Sequence, residues 1–257
     1  MKSFNKIIFI AVFVFTVANA NAQSFGFGCL GLSGFYAGFS KQNYDNPGLN
    51  DYISQRINIL DPSKTIINNK IEFTQGTGYR IGANFFRAKW DKFFISAKGY
   101  YQFIKEEHEI SGQFPSGGLI EGFYEQKERY QLTMNHWGVG IDLGIPLFWI
   151  LDWKIAEANV TFYNTEFSQE TLLNNVSQGE IKFKPDKNNI GYFIGTGLIL
   201  HLIPDYISLE GTAGFNIIQI DKLSNDSGIT IQSASSKNII DKRNLSFTLQ
   251  LNVGFPL

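Results

Sequence analysis

The sequence is short of the residues that build catalytic and metal centres. It contains one cysteine and three histidines among 257 residues. A single cysteine excludes an internal disulfide, and one cysteine with scattered histidines supplies no zinc-ligand spacing. No histidine stands in a compact pair with a serine, as a nucleophile and its base would require. We therefore predict no catalytic residue, no metal site and no cofactor.

Charge of one sign is also lacking. The 22 Lys and Arg residues nearly balance the 23 Asp and Glu residues. A balanced chain has no basic stretch with which to bind a polyanion. We therefore expect no nucleic-acid partner.

Long apolar runs are missing beyond the N-terminus. The one such run, residues 7–18, follows Lys2 and Lys6 and precedes the small residues at 20–22. Positive charge, an apolar core and a small-x-small site are typical of a cleaved export signal. The sequence therefore predicts a signal peptide over 1–22.

Two other interpretations of the N-terminus are weaker. A membrane anchor needs about 20 apolar residues, which is more than this run provides. A lipoprotein would use Cys29, but the preceding Gly26-Phe27-Gly28 matches a lipobox poorly. We expect one domain over 23–257.

The final segment, 245–255, alternates strictly between apolar and polar residues. Its apolar positions are Leu245, Phe247, Leu249, Leu251, Val253 and Phe255. A strand with one apolar face, in an exported chain, is typical of a transmembrane β-barrel in an outer membrane.

The same period-2 alternation recurs along the chain. It predicts eight strands, at about 30–41, 71–87, 92–105, 124–148, 152–167, 189–203, 206–221 and 245–255. The fourth strand changes phase midway, which predicts a bulge near Asn135 and His136. At the start of the fifth strand, the alternation of apolar and polar residues is out of phase by one residue with the rest of the strand. Several strands exceed the 9–11 residues that cross a bilayer, so they should project as a stalk.

Connection lengths alternate between long and short. The long connections are predicted at 42–70, 106–123, 168–188 and 222–243. Tight turns join the other strand pairs. This alternation is typical of an outer-membrane barrel with short periplasmic turns and long extracellular loops. The predicted fold is all-β: an eight-stranded antiparallel transmembrane β-barrel.

Four charged residues fall on the inward face of the predicted barrel. They are Arg80, Lys98, Asp142 and Glu210. Unpaired buried charge is costly, so these side chains should pair as a plug. A gated conduit or a binding site is the alternative.

The long loops are the natural contact surface. Aromatic residues Phe123, Tyr124 and Tyr130 mark the preferred contact region. Its partners could be another protein, a glycan or neighbouring lipopolysaccharide.

These features together resemble the small outer-membrane barrel families typified by the opacity and OmpA-like barrels. The Ala22-Gln23 junction is similar to those common in Bacteroidota, a group that includes the PorT family. Phe255 resembles the aromatic-ended strand that the barrel insertion machinery reads, although Pro256 and Leu257 follow it. The resemblance implies an integral outer-membrane protein.

Three functions remain open at this point. The first is a structural or interaction component, such as an accessory subunit of an assembly or secretion complex. The second is a lipid-modifying enzyme, and the third is a narrow solute channel.

Overall fold

The structure is a computed structural model that describes residues 24–26, 33–61, 71–90, 92–115, 123–187, 189–204, 206–231, 238–242 and 244–254. The predicted signal peptide, Cys29 and Phe255 lie outside these residues. In chain order the elements are β1 (Ser24–Gly26), β2 (Gly34–Asn43), α1 (Pro47–Leu60), β3 (Gln75–Lys89), β4 (Phe94–Pro115), β5 (Phe123–Phe148), β6 (Leu151–Leu173), β7 (Val176–Phe183), β8 (Asn189–Ile203), β9 (Ile207–Ile220), β10 (Leu223–Ser224), β11 (Thr230–Ile231), β12 (Ile240–Lys242) and β13 (Leu245–Gly254).

Eight strands form a closed antiparallel barrel, in the order β2, β3, β4, β5, β6, β8, β9 and β13. The last strand, β13, pairs with β9 on one side and with β2 on the other. Closure gives each wall strand two neighbours, which satisfies the backbone without free edges. The predicted all-β, eight-stranded antiparallel barrel is confirmed.

The short connections between consecutive strands of the barrel wall lie at one end, called the turn end below. They join β3 to β4, β5 to β6 and β8 to β9. The opposite end, called the loop end, carries the longer connections. Two of the loops predicted there are largely strand. Residues 106–115 are not a loop, because β4 continues to Pro115 and pairs with β5 along this length. Residues 168–188 are not a loop either, because β6 continues to Leu173 and β7 follows it as a paired strand.

Three wall strands run far beyond the rest of the barrel. β4, β5 and β6 have 22, 26 and 23 residues. Their loop-end parts and β7, which pairs with the top of β6, form a projecting sheet called the extension. It corresponds to the predicted stalk.

The apolar face of the wall changes sides between the two halves. On β5, Trp137, Val139 and Ile141 point outward and are exposed, whereas Tyr130 and Leu132 point inward and are buried. The pairing of β5 with β6 runs without a shift through residues 126–143. The predicted bulge near Asn135 is therefore wrong. The strand keeps its phase, and the apolar residues move from the outer to the inner face.

A helix closes the loop end, in a segment predicted to be a polar loop. α1 begins with Pro47, whose fixed backbone suits the first helical turn. Leu49 and Ile53 are fully buried, and Ile57 and Leu60 pack beside them. Their spacing of three and four residues makes one apolar stripe, which faces into the barrel.

This stripe completes a core called the apolar cluster. Its barrel members include Tyr44, Phe73, Ile104, Tyr130, Leu132, Met134, Phe167, Phe183, Ile218 and Ile240. Burial of this many apolar side chains is what fixes α1 over the barrel mouth.

Candidate functional site

Six charged side chains form one ion-paired group inside the barrel near the turn end, called the charge network. Its members are Arg80, Lys98, Asp142, Lys154, Glu157 and Glu210, each at most 5% exposed. Glu157 is central: its Oε1 lies 2.7 Å from Lys98 Nζ and 3.9 Å from Arg80 Nη1. Lys98 Nζ also lies 3.0 Å from Asp142 Oδ1.

Lys154 connects the network to the opposite wall. Its ammonium group contacts the carboxylates of Glu157 and Glu210. It also donates to Thr212 Oγ1 at 2.8 Å. One lysine thus links β6 to β9 across the interior.

Neutral side chains complete the packing around these charges. Arg80 Nε donates to Gln102 Oε1 at 2.6 Å, and its guanidinium lies 4.1 Å from the Tyr100 ring centroid. Asn159 Nδ2 donates to Glu157 Oε1 at 2.7 Å. Tyr100 occupies the space over Gly138, where a Cβ atom would come within 2.2 Å of the ring.

The network is balanced, with three cations and three carboxylates. Oxygens of Asp142, Glu157 and Glu210 lie within 4.8 Å of one another, a spacing that could suit a divalent cation. Lys98 and Lys154 already place ammonium groups against these oxygens. The arrangement therefore neutralises itself and occupies the interior.

The structure brings together all four residues proposed from the sequence: Arg80, Lys98, Asp142 and Glu210. Sequence reasoning missed Lys154 and Glu157. Residues three apart on a regular strand point to opposite faces, but the pairing of β6 with β8 shifts between these two. This β-bulge turns both side chains inward. In the sequence, the irregular alternation at the start of the fifth predicted strand was the signal from which this bulge could have been predicted.

A small polar cavity separates the charge network from the turn end. Its volume is about 50 Å³, and its lining includes Ser96, Asp142, His201 and Glu210. This volume can hold ordered water but not a lipid chain. His201 Nε2 lies 2.9 Å from Asp152 Oδ2, so a carboxylate accounts for the position of this histidine.

Two buried carboxylates on the wall strands β4 and β5 lie beside the apolar cluster at the loop end. Glu106 accepts hydrogen bonds from the Tyr44 hydroxyl and from the backbone N–H groups of Thr74 and Gln75. Burial, reinforced by the Glu106 charge, raises the pKa of Tyr44 above its ordinary value. These bonds tie the chain after α1 to the barrel wall.

The second buried carboxylate, Glu128, anchors the helix. It accepts from Tyr130 and from Gln169 Nε2 at 3.1 Å, and Arg56 on α1 lies 3.4 Å away. Burial and the Glu128 charge raise the pKa of Tyr130. The helix is thus held by polar contacts as well as by its apolar stripe.

The predicted contact region divides in the structure. Phe123 is 74% exposed at the end of the described part of the extension, and Tyr124 stacks on Phe114 with ring centroids 5.9 Å apart. Tyr130 is 0% exposed and belongs to the apolar cluster. Its assignment as a contact residue is wrong, because β5 begins at Phe123 and turns Tyr130 inward.

The outer surface of the turn-end half carries a continuous band of exposed apolar side chains, called the apolar belt. Its middle includes Ile81, Val139, Leu143, Ile194, Leu198, Leu249 and Leu251. Aromatic residues flank it toward the loop end (Phe39, Tyr79, Phe103, Trp137, Phe162) and toward the turn end (Phe93, Phe148, Trp149, Trp153). Ten residues separate Phe93 from Phe103, which is about 25 Å along the barrel axis for a tilted strand.

No protein-family model matches the chain, and no curated protein matches it. Among the residues that the structure describes, no helix has the length and apolar character needed to span a membrane.

Proposed function

We propose that this chain is an integral outer-membrane β-barrel protein of the type common in Bacteroidota, exported by a signal peptide over residues 1–22. One observation carries the proposal: the wall is apolar outside over about 25 Å and then becomes charged outside and apolar inside. Only a surrounding hydrocarbon layer favours an exposed band of this height between two aromatic girdles. The barrel insertion machinery and outer-membrane lipid are its implied partners.

Within that membrane, we assign the chain a structural or interaction role. The charge network, the apolar cluster and α1 occupy successive levels of the interior, so solutes have no evident path. The extension projects beyond the apolar belt, and its described part presents the exposed Phe123. A closed barrel with a projecting sheet suits an accessory subunit of an assembly or secretion complex.

The two alternatives have less support. A narrow channel would need an open interior, which the paired charges fill. A lipid-modifying enzyme would need a nucleophile next to its base. His201 has a carboxylate partner, as a catalytic base could, but within the described residues no hydroxyl group is hydrogen-bonded to it. We assign the chain no catalytic activity.

One preparation tests the role. The tagged chain is purified from its own membranes in mild detergent, and its folded state is checked by heat-modifiable migration on a gel. We expect a stoichiometric partner that is lost from the Phe123→Ser variant and retained by Ile229→Ser, which changes another exposed apolar residue (58% against 74%) on the β10–β11 hairpin. The same preparation should give no stable current in planar bilayers. Steady currents, or a chain that runs alone, would refute the closed interaction role.

A further inference from the structure

Three rows of outward side chains lie one above another on neighbouring strands β2, β3 and β4. The first row is aromatic: Phe39 pairs with Tyr79, and Tyr79 pairs with Phe103. The Phe39 and Tyr79 rings meet edge to face at 6.1 Å, and Tyr79 is 68% exposed. This row is the loop-end border of the apolar belt.

The second row stands directly beyond the first and is cationic. Lys41 pairs with Thr77, and Thr77 pairs with Lys105. The two lysines are therefore two strands apart, which is about 10 Å. They lie about 7 Å beyond the aromatic rings, at the level where lipid headgroups would meet the barrel.

Lys41 differs from Lys105 and from Arg129, which lies farther toward the loop end. Arg129 contacts three carboxylates, those of Glu107, Glu109 and Glu170. Lys105 is paired with Glu107. Within the described residues Lys41 has no carboxylate partner, so its charge is available to an anion.

The third row consists of amides that line an open groove of about 540 Å³. Gln75 Nε2 donates to Asn43 Oδ1 at 2.9 Å, which leaves Asn43 Nδ2 as a donor and Gln75 Oε1 as an acceptor. Asn244 lines the same groove, together with the apolar Phe215 and Leu245. Paired donors and acceptors beside an apolar face suit the hydroxyl groups and ring of a sugar.

Among the described residues that line this groove, the acidic one is Asp45. Asp45 lies four positions from Lys41, about 13 Å along an extended chain. That exceeds the screening length of about 8 Å at physiological salt. Asp45 therefore does little to oppose an anion held at Lys41.

From these rows we propose that the outer wall over β2, β3 and β13 binds one phosphorylated glycolipid of the outer leaflet. The acyl chains lie against the aromatic row, the phosphate pairs with Lys41, and the sugar occupies the amide groove. Lys41 and Asn43 are two residues apart on one strand, about 7 Å, so a sugar ring and the phosphate that it carries can contact both rows while the acyl chains lie against the aromatic row. This site rests on the membrane placement proposed above.

Binding is measured by native mass spectrometry of the full mature chain, refolded in detergent without added lipid. The probes are monophosphorylated lipid A, its dephosphorylated form, phosphatidylglycerol and inorganic phosphate. We expect monophosphorylated lipid A to bind at least about tenfold more tightly than the other three, which corresponds to one charge-assisted contact. Equal binding of phosphatidylglycerol, or displacement of lipid A by millimolar inorganic phosphate, would overturn the glycolipid assignment.

Two variants locate the site. Lys41→Gln should weaken lipid A binding about tenfold, whereas Lys182→Gln, an exposed lysine on β7, should change it less than about twofold. Asn43→Ala with Gln75→Ala should weaken lipid A but leave phosphatidylglycerol unchanged. Equal affinities for Lys41→Gln and Lys182→Gln would refute the site.

The two proposals fail differently. A chain that folds in micelles but binds no lipid A overturns the glycolipid site and leaves the membrane barrel intact. A chain that stays soluble without detergent removes both.

Discussion

The two halves of the barrel are built on the same strands but are inverted with respect to each other. In the turn-end half, charged side chains fill the interior and apolar side chains cover the outside. In the loop-end half, β5 and β6 place Tyr130 and Phe167 inside, and charged residues such as Arg129 and Glu166 outside. On β5 the apolar side chains therefore change from the outer to the inner face while the backbone keeps its phase.

The inversion shows that apolar side chains do not always occupy the interior of a folded chain. The loop-end half follows the rule for water-soluble proteins, in which the hydrophobic effect places apolar groups inside. The turn-end half reverses this rule, as expected if hydrocarbon surrounds the wall in the membrane placement proposed above. Its interior is then free to be polar, provided that every charge is paired.

The largest expected effect comes from breaking the polar interior. Glu157→Ala leaves the Lys98 and Lys154 ammonium groups without their shared carboxylate. Removing one partner of a buried ion pair lowers the free energy of unfolding by about 3–5 kcal/mol. Urea unfolding of the chain in lipid vesicles, followed by tryptophan fluorescence, measures this change.

An exposed glutamate provides the matched control. Glu107 pairs with Lys105 and Arg129 but is 39% exposed. Glu107→Ala should cost less than about 1 kcal/mol, because water replaces the lost partner. Similar losses for Glu157→Ala and Glu107→Ala would mean that the turn-end interior is hydrated and the charge network is not a buried plug.

The next effect tests the apolar interior of the loop-end half. Leu132→Ala removes three carbon atoms from the apolar cluster beneath α1. Such a truncation in a packed core costs about 2–5 kcal/mol. The adjacent residue on β5, Gln131, points outward. Gln131→Ala should therefore change the free energy of unfolding by less than about 0.5 kcal/mol. If both substitutions had the same small effect, α1 would not be packed as a cap.

Strand positions and wall topology could be predicted from the sequence because period 2 is a local signal. The inversion between the two halves caused the main error in the predicted strands, the bulge near Asn135. The change of apolar phase near Asn135 has two physical explanations, a bulge or a change of solvent, and the sequence alone does not separate them. On β6 the same kind of signal does reflect a bulge, between Lys154 and Glu157.

The cap escaped prediction for a different reason. Leu49, Ile53, Ile57 and Leu60 have helical spacing, but the segment around them is polar and begins with Asn46 and Pro47. Its helix is stabilised mainly by tertiary burial against residues far along the chain, such as Phe167. Helices of this length depend on such packing, so local propensity was a weak guide.

The smallest of the three effects compares the outer faces of the two halves, and so tests whether a membrane surrounds the turn-end half. Leu143 points outward on β5, midway between Trp137 and Trp149. Leu143→Arg should lower the free energy of unfolding in lipid vesicles by about 2–4 kcal/mol, the cost of arginine at the bilayer midplane. Gln131→Arg, outward on the same strand beyond the aromatic girdle, should cost about 0–1 kcal/mol. Since both variants add one arginine to one strand, only the surrounding solvent distinguishes them. Equal costs would place water around both halves and remove the reason for the inversion.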